Sequence, residues 1–369
     1  MDEKENTFST RTSNRETGIE LLRILCMLMI VAHHCIVHGG AINMENCQNK
    51  VVAILLFPGG KIGFTCFLAI STWFLVDMEF KTIRLFRIWG EVFFYSIVFA
   101  IITFIVTDSL TVKNIFSALL PVAGNSHGFA SAYIMLYLLL PFLRRLTDNI
   151  SKFQARCFLA LLFYAQIGCW IIGYINNYYQ LFNSELLLFV FFYVLSLNLK
   201  RWPVRFFQDR VVCLLTFASV WLLISEIIYL QNMGMSREIL DFIAAITQNE
   251  SSILYILAGY SLFFLFLGCP IKHNKVINMI AATTFGVLLI HDHNYFRTIV
   301  WDSIVKCTQW YYSPYFVFYV ALSVLIIFVV CGLIDFLRKK FIEEPLFRRK
   351  ELYSFGQKLD EKLNERGLQ

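Results

Sequence analysis

The residues in this chain best suited to chemistry open its first apolar segment, Glu20-Leu-Leu-Arg23-Ile-Leu-Cys-Met-Leu-Met-Ile-Val-Ala-His33-His34. A carboxylate and a guanidinium stand at one end and two imidazoles at the other. Arg23 and His34 are eleven positions apart. At about 3.6 residues per turn that returns them to nearly the same helix face, roughly 16 Å apart along the axis. Glu20 joins the stripe through its i,i+3 relation to Arg23. Ionisable groups in an apolar helix cost several kcal/mol unless they face protein or water, so this stripe reads as the wall of a site inside a membrane. Imidazole is the usual group for proton transfer near neutral pH, which makes His34 the candidate base. His33, about 100° around the helix, and His38 read as structural imidazoles that bond across helices. A further imidazole closes the stretch Thr284-Phe-Gly-Val-Leu-Leu-Ile-His291-Asp-His293, so a second segment presents histidine at comparable depth.

A metal centre is weighed and set aside. His34 and His38 are i,i+4, and with His291 and His293 they offer four imidazoles, enough in principle for zinc. The chain has no HExxH, and Asp292 is the only carboxylate at the ends of these two stretches, so no metal is expected.

Other groups are weaker alone. Gly59-Gly60-Lys61-Ile-Gly63 leads into Ser71, where glycines permit close backbone approach and Ser71 is a polar group in an apolar wall. Arg84 and Arg87 make an i,i+3 cationic face suited to phosphates, although from charge alone plain topology anchoring is the better account. His127-Gly-Phe129-Ala-Ser-Ala-Tyr133 through Tyr137 and Pro141 could line a cavity or form an interfacial belt. Glu343-Glu344-Pro345 places acid and proline after the last apolar segment, within reach of the basic loops.

The elements that must position these groups are membrane helices. Of 369 residues 58% are hydrophobic and only 16% charged, well below the roughly 25% of soluble domains. Spans are expected near 19–38, 52–76, 88–107, 129–143, 157–175, 185–199, 212–230, 252–268, 278–292 and 314–337. Those at 129–143, 185–199 and 278–292 fall short of the ~20 residues a straight crossing prefers. Basic residues cluster in every second loop, from Arg11 and Arg15 through Arg144 and Arg145 to Arg338-Lys339-Lys340. The positive-inside rule then gives an all-α bundle of ten spans with both termini cytoplasmic. The same distribution makes the net charge of +6 a topology signal, not a nucleic-acid footprint. The expected organisation is a flexible N-terminus over 1–18, a membrane domain over 19–340 and a cytoplasmic tail over 341–369. The polar first 18 residues suggest no removable signal peptide, the first helix itself acting as the targeting element. Ten cysteines read as buried hydrophobes, Cys47 and Cys307 being the one pair to test for a bridge.

Together these residues resemble the acyltransferase-3 family of integral membrane O-acyltransferases, over about residues 18–347. The resemblance is carried by Arg23 and His34 with Glu20 in an aspartate position, by Gly60-x-x-Gly63 through Ser71, and by Arg84-x-x-Arg87. Phe129 through Pro141, Phe285 through His291 and Glu343-x-Pro345 complete it. Thr72 and Gly128 depart from the pattern, standing where glycine and tryptophan are usual, and bear on pocket shape and acceptor choice. The resemblance implies transfer of an acyl group, usually acetyl from acetyl-CoA, to a hydroxyl of an extracytoplasmic or lipid-linked carbohydrate at a bacterial inner membrane. It implies His34 as general base or transient acyl carrier, and His291 orienting the acceptor or sharing the proton work. Glu20 and Arg23 would hold the polar track, Arg23 polarising the thioester or contacting CoA, with Arg84, Arg87 and Ser71 at the donor. Partners would be the glycan, membrane lipid and separate glycan-assembly proteins, with no nucleic acid. The competing readings are a secondary transporter, disfavoured because the halves carry unlike motifs, and a flippase-like component of glycan export.

Overall fold

The computed structural model describes residues 16–107, 111–124, 127–175, 184–233, 238–294 and 296–365; most of the 1–18 stretch lies outside them. The described residues are mainly helical, with no strand among them. In chain order they form α1 (Thr17–Val37), α2 (Gln48–Leu75), α3 (Thr82–Thr107), α4 (Val112–Leu119), α5 (Gly128–Thr147) and α6 (Lys152–Phe163). Next come α7 (Cys169–Ile175), α8 (Glu185–Arg201), α9 (Arg210–Asn232), α10 (Glu238–Gln248) and α11 (Ile253–Phe266). The chain closes with α12 (Lys275–Ala281), α13 (Thr284–His291), α14 (Phe316–Arg338), α15 (Glu344–Phe347) and α16 (Lys350–Glu365).

Each of the ten expected spans falls on helix. By length and composition seven of the described helical stretches can cross a membrane, or eight if α10 and α11, bent by 40° at their junction, make one crossing. The shortfall from ten lies where the sequence runs were short. α8 has 17 residues, and the expected span 278–292 breaks at Ala282–Thr283 into α12 and α13. Helix starts follow local chemistry: Ser151 and Gln154 form a reciprocal capping box on α6, and Ser184, Asp209, Ser252 and Asn274 cap α8, α9, α11 and α12.

The basic loops meet at one end of the bundle. Arg144 donates to the Met78 carbonyl (3.0 Å), Arg201 to the Thr147 carbonyl (2.6 Å) and Arg210 to the Gly268 carbonyl (2.9 Å), while Lys200 pairs with Asp77. The start of α1 joins them, since Thr17 Oγ1 accepts from the Asn274 amide at 3.1 Å. So does the C-terminal helix, whose Asp360 accepts from the Thr82 amide at 2.9 Å. The alternate loops meet at the opposite end, through Asn46 to the Asn232 carbonyl (2.9 Å) and Asn49 to the Ser313 carbonyl (2.9 Å). The arginines thus bind carbonyls at or just beyond the C-terminal ends of α2, α5 and α11, where backbone acceptors are left unpaired.

α1 lies against α2 through glycine. A Cβ on Gly60 would sit 2.3 Å from His33 Cγ, so only glycine admits that ring. His33 Nδ1 donates to the Phe57 carbonyl at 2.6 Å, the cross-helix bond expected of a structural histidine.

Two expectations need correction. Arg338, read as a surface base closing the last span, is buried at the foot of α14. It pairs with Glu91 (3.1 Å), Asp335 (2.9 Å) and Glu343 (2.9 Å), and Asp335 also accepts from Tyr95 (2.9 Å). Glu91 and Tyr95 therefore hold α3 to α14, while the acid of the Glu343-x-Pro345 stretch pairs with Arg338, five residues before it, instead of reaching a distant basic loop. Cys307 faces Cys35 at 4.0 Å between sulfurs, not Cys47, because Cys307 follows the α13 loop back onto the end of α1.

Candidate active site

A cavity of about 390 Å³ opens beside the far end of α1. Met27, Ile30 and His34 line it at i, i+3 and i+7, and Arg23 continues the same stripe one turn further. Phe64 and Phe67 of α2, Phe129 of α5, and Phe285 and Leu288 of α13 add apolar wall; Lys61, Glu185, Glu250, Asp292, Asn294 and Arg297 ring it with polar groups.

The chemistry of this cavity turns on a pair of imidazoles. His291, fully buried on the last turn of α13, has Nδ1 2.6 Å from the Val287 carbonyl oxygen. A carbonyl can only accept, so the hydrogen-bond pattern assigns the His291 proton to Nδ1 and leaves its Nε2 bare. His34 Nδ1 lies 3.0 Å from that Nε2 and must be the donor. A neutral His34 then carries its lone pair on Nε2, on a residue that lines the cavity. Asp292 Oδ1 is 3.7 Å from His34 Nδ1 and 3.9 Å from His38 Nε2, and Arg297 Nη1 pairs with it at 3.4 Å.

The four-imidazole arrangement weighed for a metal is not assembled. His293 turns away to pack edge-on against His127 (centroids 4.7 Å apart) and tilted against Phe99 (4.6 Å). His34, His38 and Asp292 do place ligand-type atoms within 4.8 Å of one another. His34 Nδ1 is already committed to His291, however, and Arg297 already pairs with Asp292.

The other expected site residues gather at the opposite end of α1. Arg23 Nη1 lies 3.6 Å from Glu20 Oε1, and the second Glu20 oxygen is buried without a hydrogen-bond partner among the described residues. Arg84 reaches inward from α3: its Nη1 is likewise buried and unpartnered, and both Arg84 and Arg23 lie within electrostatic range of the Tyr133 phenol. Arg87 diverges from it, exposed and stacked on the Phe347 ring at 5.1 Å, so the two do not form one face. No contact joins Ser71 to either arginine among the described residues. Its neighbour Thr72 is fully buried, donating to the Leu68 carbonyl (2.7 Å) and meeting Ser196 (2.8 Å), which in turn meets Tyr260 (2.8 Å). The hydroxyl in the place of a glycine thus ties α2 to α8 and α11.

Glu185, Glu250 and Arg297 are cavity residues that sequence reasoning missed. Glu185 carried a signal, an acid directly after a capping serine at the mouth of an apolar run. Glu250 and Arg297 sit in loops, where a charge is unremarkable until the fold folds the loop inward. Gly128 explains one departure: a Cβ there would lie 2.5 Å from both Glu185 carboxylate oxygens, so glycine makes room for this acid.

A family model described as an acyltransferase domain matches residues 16–333, nearly the whole chain. No curated protein and no solved structure matches it. With its apolar helices and the paired imidazoles of α1 and α13 inside that matched span, the chain belongs to the acyltransferase-3 family and is a multi-pass membrane acyltransferase.

Proposed function

We propose that this protein is an O-acyltransferase that moves an acyl group, acetyl in the simplest case, from cytoplasmic acyl-CoA to a hydroxyl of an extracytoplasmic or lipid-linked carbohydrate at the cell membrane. The observation that carries the reading is the His34 Nδ1 to His291 Nε2 contact at 3.0 Å, with His291 itself held by Val287. It leaves His34 Nε2 as the basic nitrogen of a cavity-lining residue. In this mechanism His34 Nε2 takes the acceptor hydroxyl proton as that oxygen attacks the thioester carbonyl. The carbon–sulfur bond then breaks, and the proton on His34 passes to the departing thiolate. His291 Nε2 accepts a hydrogen bond from His34 Nδ1–H throughout, fixing the tautomer and stabilising the His34 imidazolium; it is a positioning residue.

The donor would come from the Arg23 end. Coenzyme A is polyanionic, and Arg84 Nη1 there is a buried cationic atom without a hydrogen-bond partner among the described residues, which suits a phosphate or the thioester carbonyl. Arg23, tethered by Glu20, extends the same charge along α1. Arg87 would meet phosphate at the surface, and Ser71 is assigned to donor binding by sequence resemblance alone. Separate glycan-assembly proteins would deliver the acceptor.

The test is thiol release from acetyl-CoA and label transfer to glycan by purified protein. His34→Ala at unchanged membrane level should lose about 10²–10⁴-fold in kcat, the usual worth of a positioned acid–base group. Turnover within a few-fold of wild type would end the assignment.

A further inference from the structure

The cavity beside His34 holds five charged side chains, and four compensate one another. Lys61 Nζ pairs with Glu250 Oε1 at 3.3 Å, and Arg297 Nη1 with Asp292 Oδ1 at 3.4 Å. Glu185, on the exposed rim of the cavity, is left over, with no ion pair to a basic side chain among the described residues, so the described lining carries one negative charge in excess. Both its oxygens lie 2.5 Å from where a Cβ on residue 128 would stand, so any side chain at 128 would make this carboxylate shift. Residue 128 neighbours Phe129, which lines the same cavity as His34.

A carboxylate has only acceptor capacity, and an uncompensated one on a cavity wall attracts proton donors and repels anions. We propose that Glu185 reads the acceptor. It accepts hydrogen bonds from proton-donating groups beside the hydroxyl that His34 deprotonates, and it selects neutral or amino sugars over acidic ones. This rests on the acyl-transfer reading above. The shared chemistry is the donor hydrogen; its source is either a neighbouring hydroxyl or an ammonium group.

The experiment uses membranes of the producing cell, which carry the endogenous acceptor, supplied with radiolabelled acetyl-CoA. Glu185→Ala should lower transfer about 10-fold or more, the effect of one hydrogen bond to a charged group, with the KM for acetyl-CoA unchanged. Gly128→Ala should do the same by displacing the carboxylate, and the double variant should be no slower than Glu185→Ala alone. Glu185→Gln separates the two sources. Near wild-type transfer identifies hydroxyl donors, whereas a loss equal to that of alanine identifies an ammonium group. Mass spectrometry of the labelled product should find the acyl group on a neutral or amino sugar. Wild-type transfer by Glu185→Ala, an equal rise in the KM for acetyl-CoA, additivity with Gly128→Ala, or an acidic sugar at the modified position would each overturn the proposal. Wild-type membranes that transfer no label would instead remove the acyl-transfer reading itself, and this inference with it.

Discussion

Removal of His291 tests the tautomer argument directly. In the proposed transition state His34 becomes an imidazolium whose Nδ1 proton is shared with His291 Nε2 across 3.0 Å. A hydrogen bond to a charged group contributes about 1.5–3 kcal/mol. Its loss in His291→Ala should therefore cost roughly 10–150-fold in kcat. The KM for acetyl-CoA should stay unchanged, because His291 lies at the opposite end of α1 from Arg23 and Arg84. Since His291 acts only through His34, the double variant His34→Ala/His291→Ala should be no slower than His34→Ala alone. His291→Gln keeps an amide oxygen able to accept from His34 Nδ1 and should recover part of the loss, which separates positioning from misfolding. The assay is initial thiol release from acetyl-CoA at matched protein level. A loss under 3-fold in His291→Ala, or losses that add in the double variant, would refute the reasoning.

Three further outcomes are expected. Arg84→Ala combined with Arg87→Ala should raise the KM for acetyl-CoA about 10-fold, roughly 1.4 kcal/mol of phosphate contact; an unchanged KM would return both residues to topology anchors. Gly60→Ala should cost at least about 1–3 kcal/mol of stability, since its methyl meets the His33 ring at 2.3 Å; a melting temperature equal to wild type would show that the ring can yield. The third concerns pH. Burial pushes the His127 imidazole down to about 4 and the His293 imidazole down to about 3, against about 6.5 unfolded. The unfolded chain thus binds more protons below pH ~6.5, so stability held at neutral pH is lost as pH falls towards the folded values, by roughly 2 kcal/mol per histidine at pH 5. Thermal unfolding in detergent at pH 7.5 and 5 should show this loss, and His127→Phe/His293→Phe should reduce it by the part these two carry; an equal loss in that double variant would place its origin elsewhere.

Much of the arrangement is local in origin and therefore legible without coordinates. Apolar runs long enough to cross a bilayer must be helical, because a helix alone satisfies its own backbone there. The Lys and Arg asymmetry sets which loops share an end, and contacts such as Arg201 to Thr147 and Asp360 to Thr82 bring those loops together. The helical period separates His34 from His33: both border the cavity, but His34 meets His291 while His33 is bound to Phe57 behind Gly60. What a period cannot encode is which helix lies opposite. The meeting of α1 with α13 and the pairing of Arg338 with Glu91 join segments hundreds of residues apart, and the inward turn of Arg84 away from Arg87 likewise depends on tertiary packing. So does the place of Glu185 beside Gly128. Sequence determined the helices, their faces and their ends; tertiary structure decided which charges met, because long-range pairing follows shape and burial and leaves no local pattern.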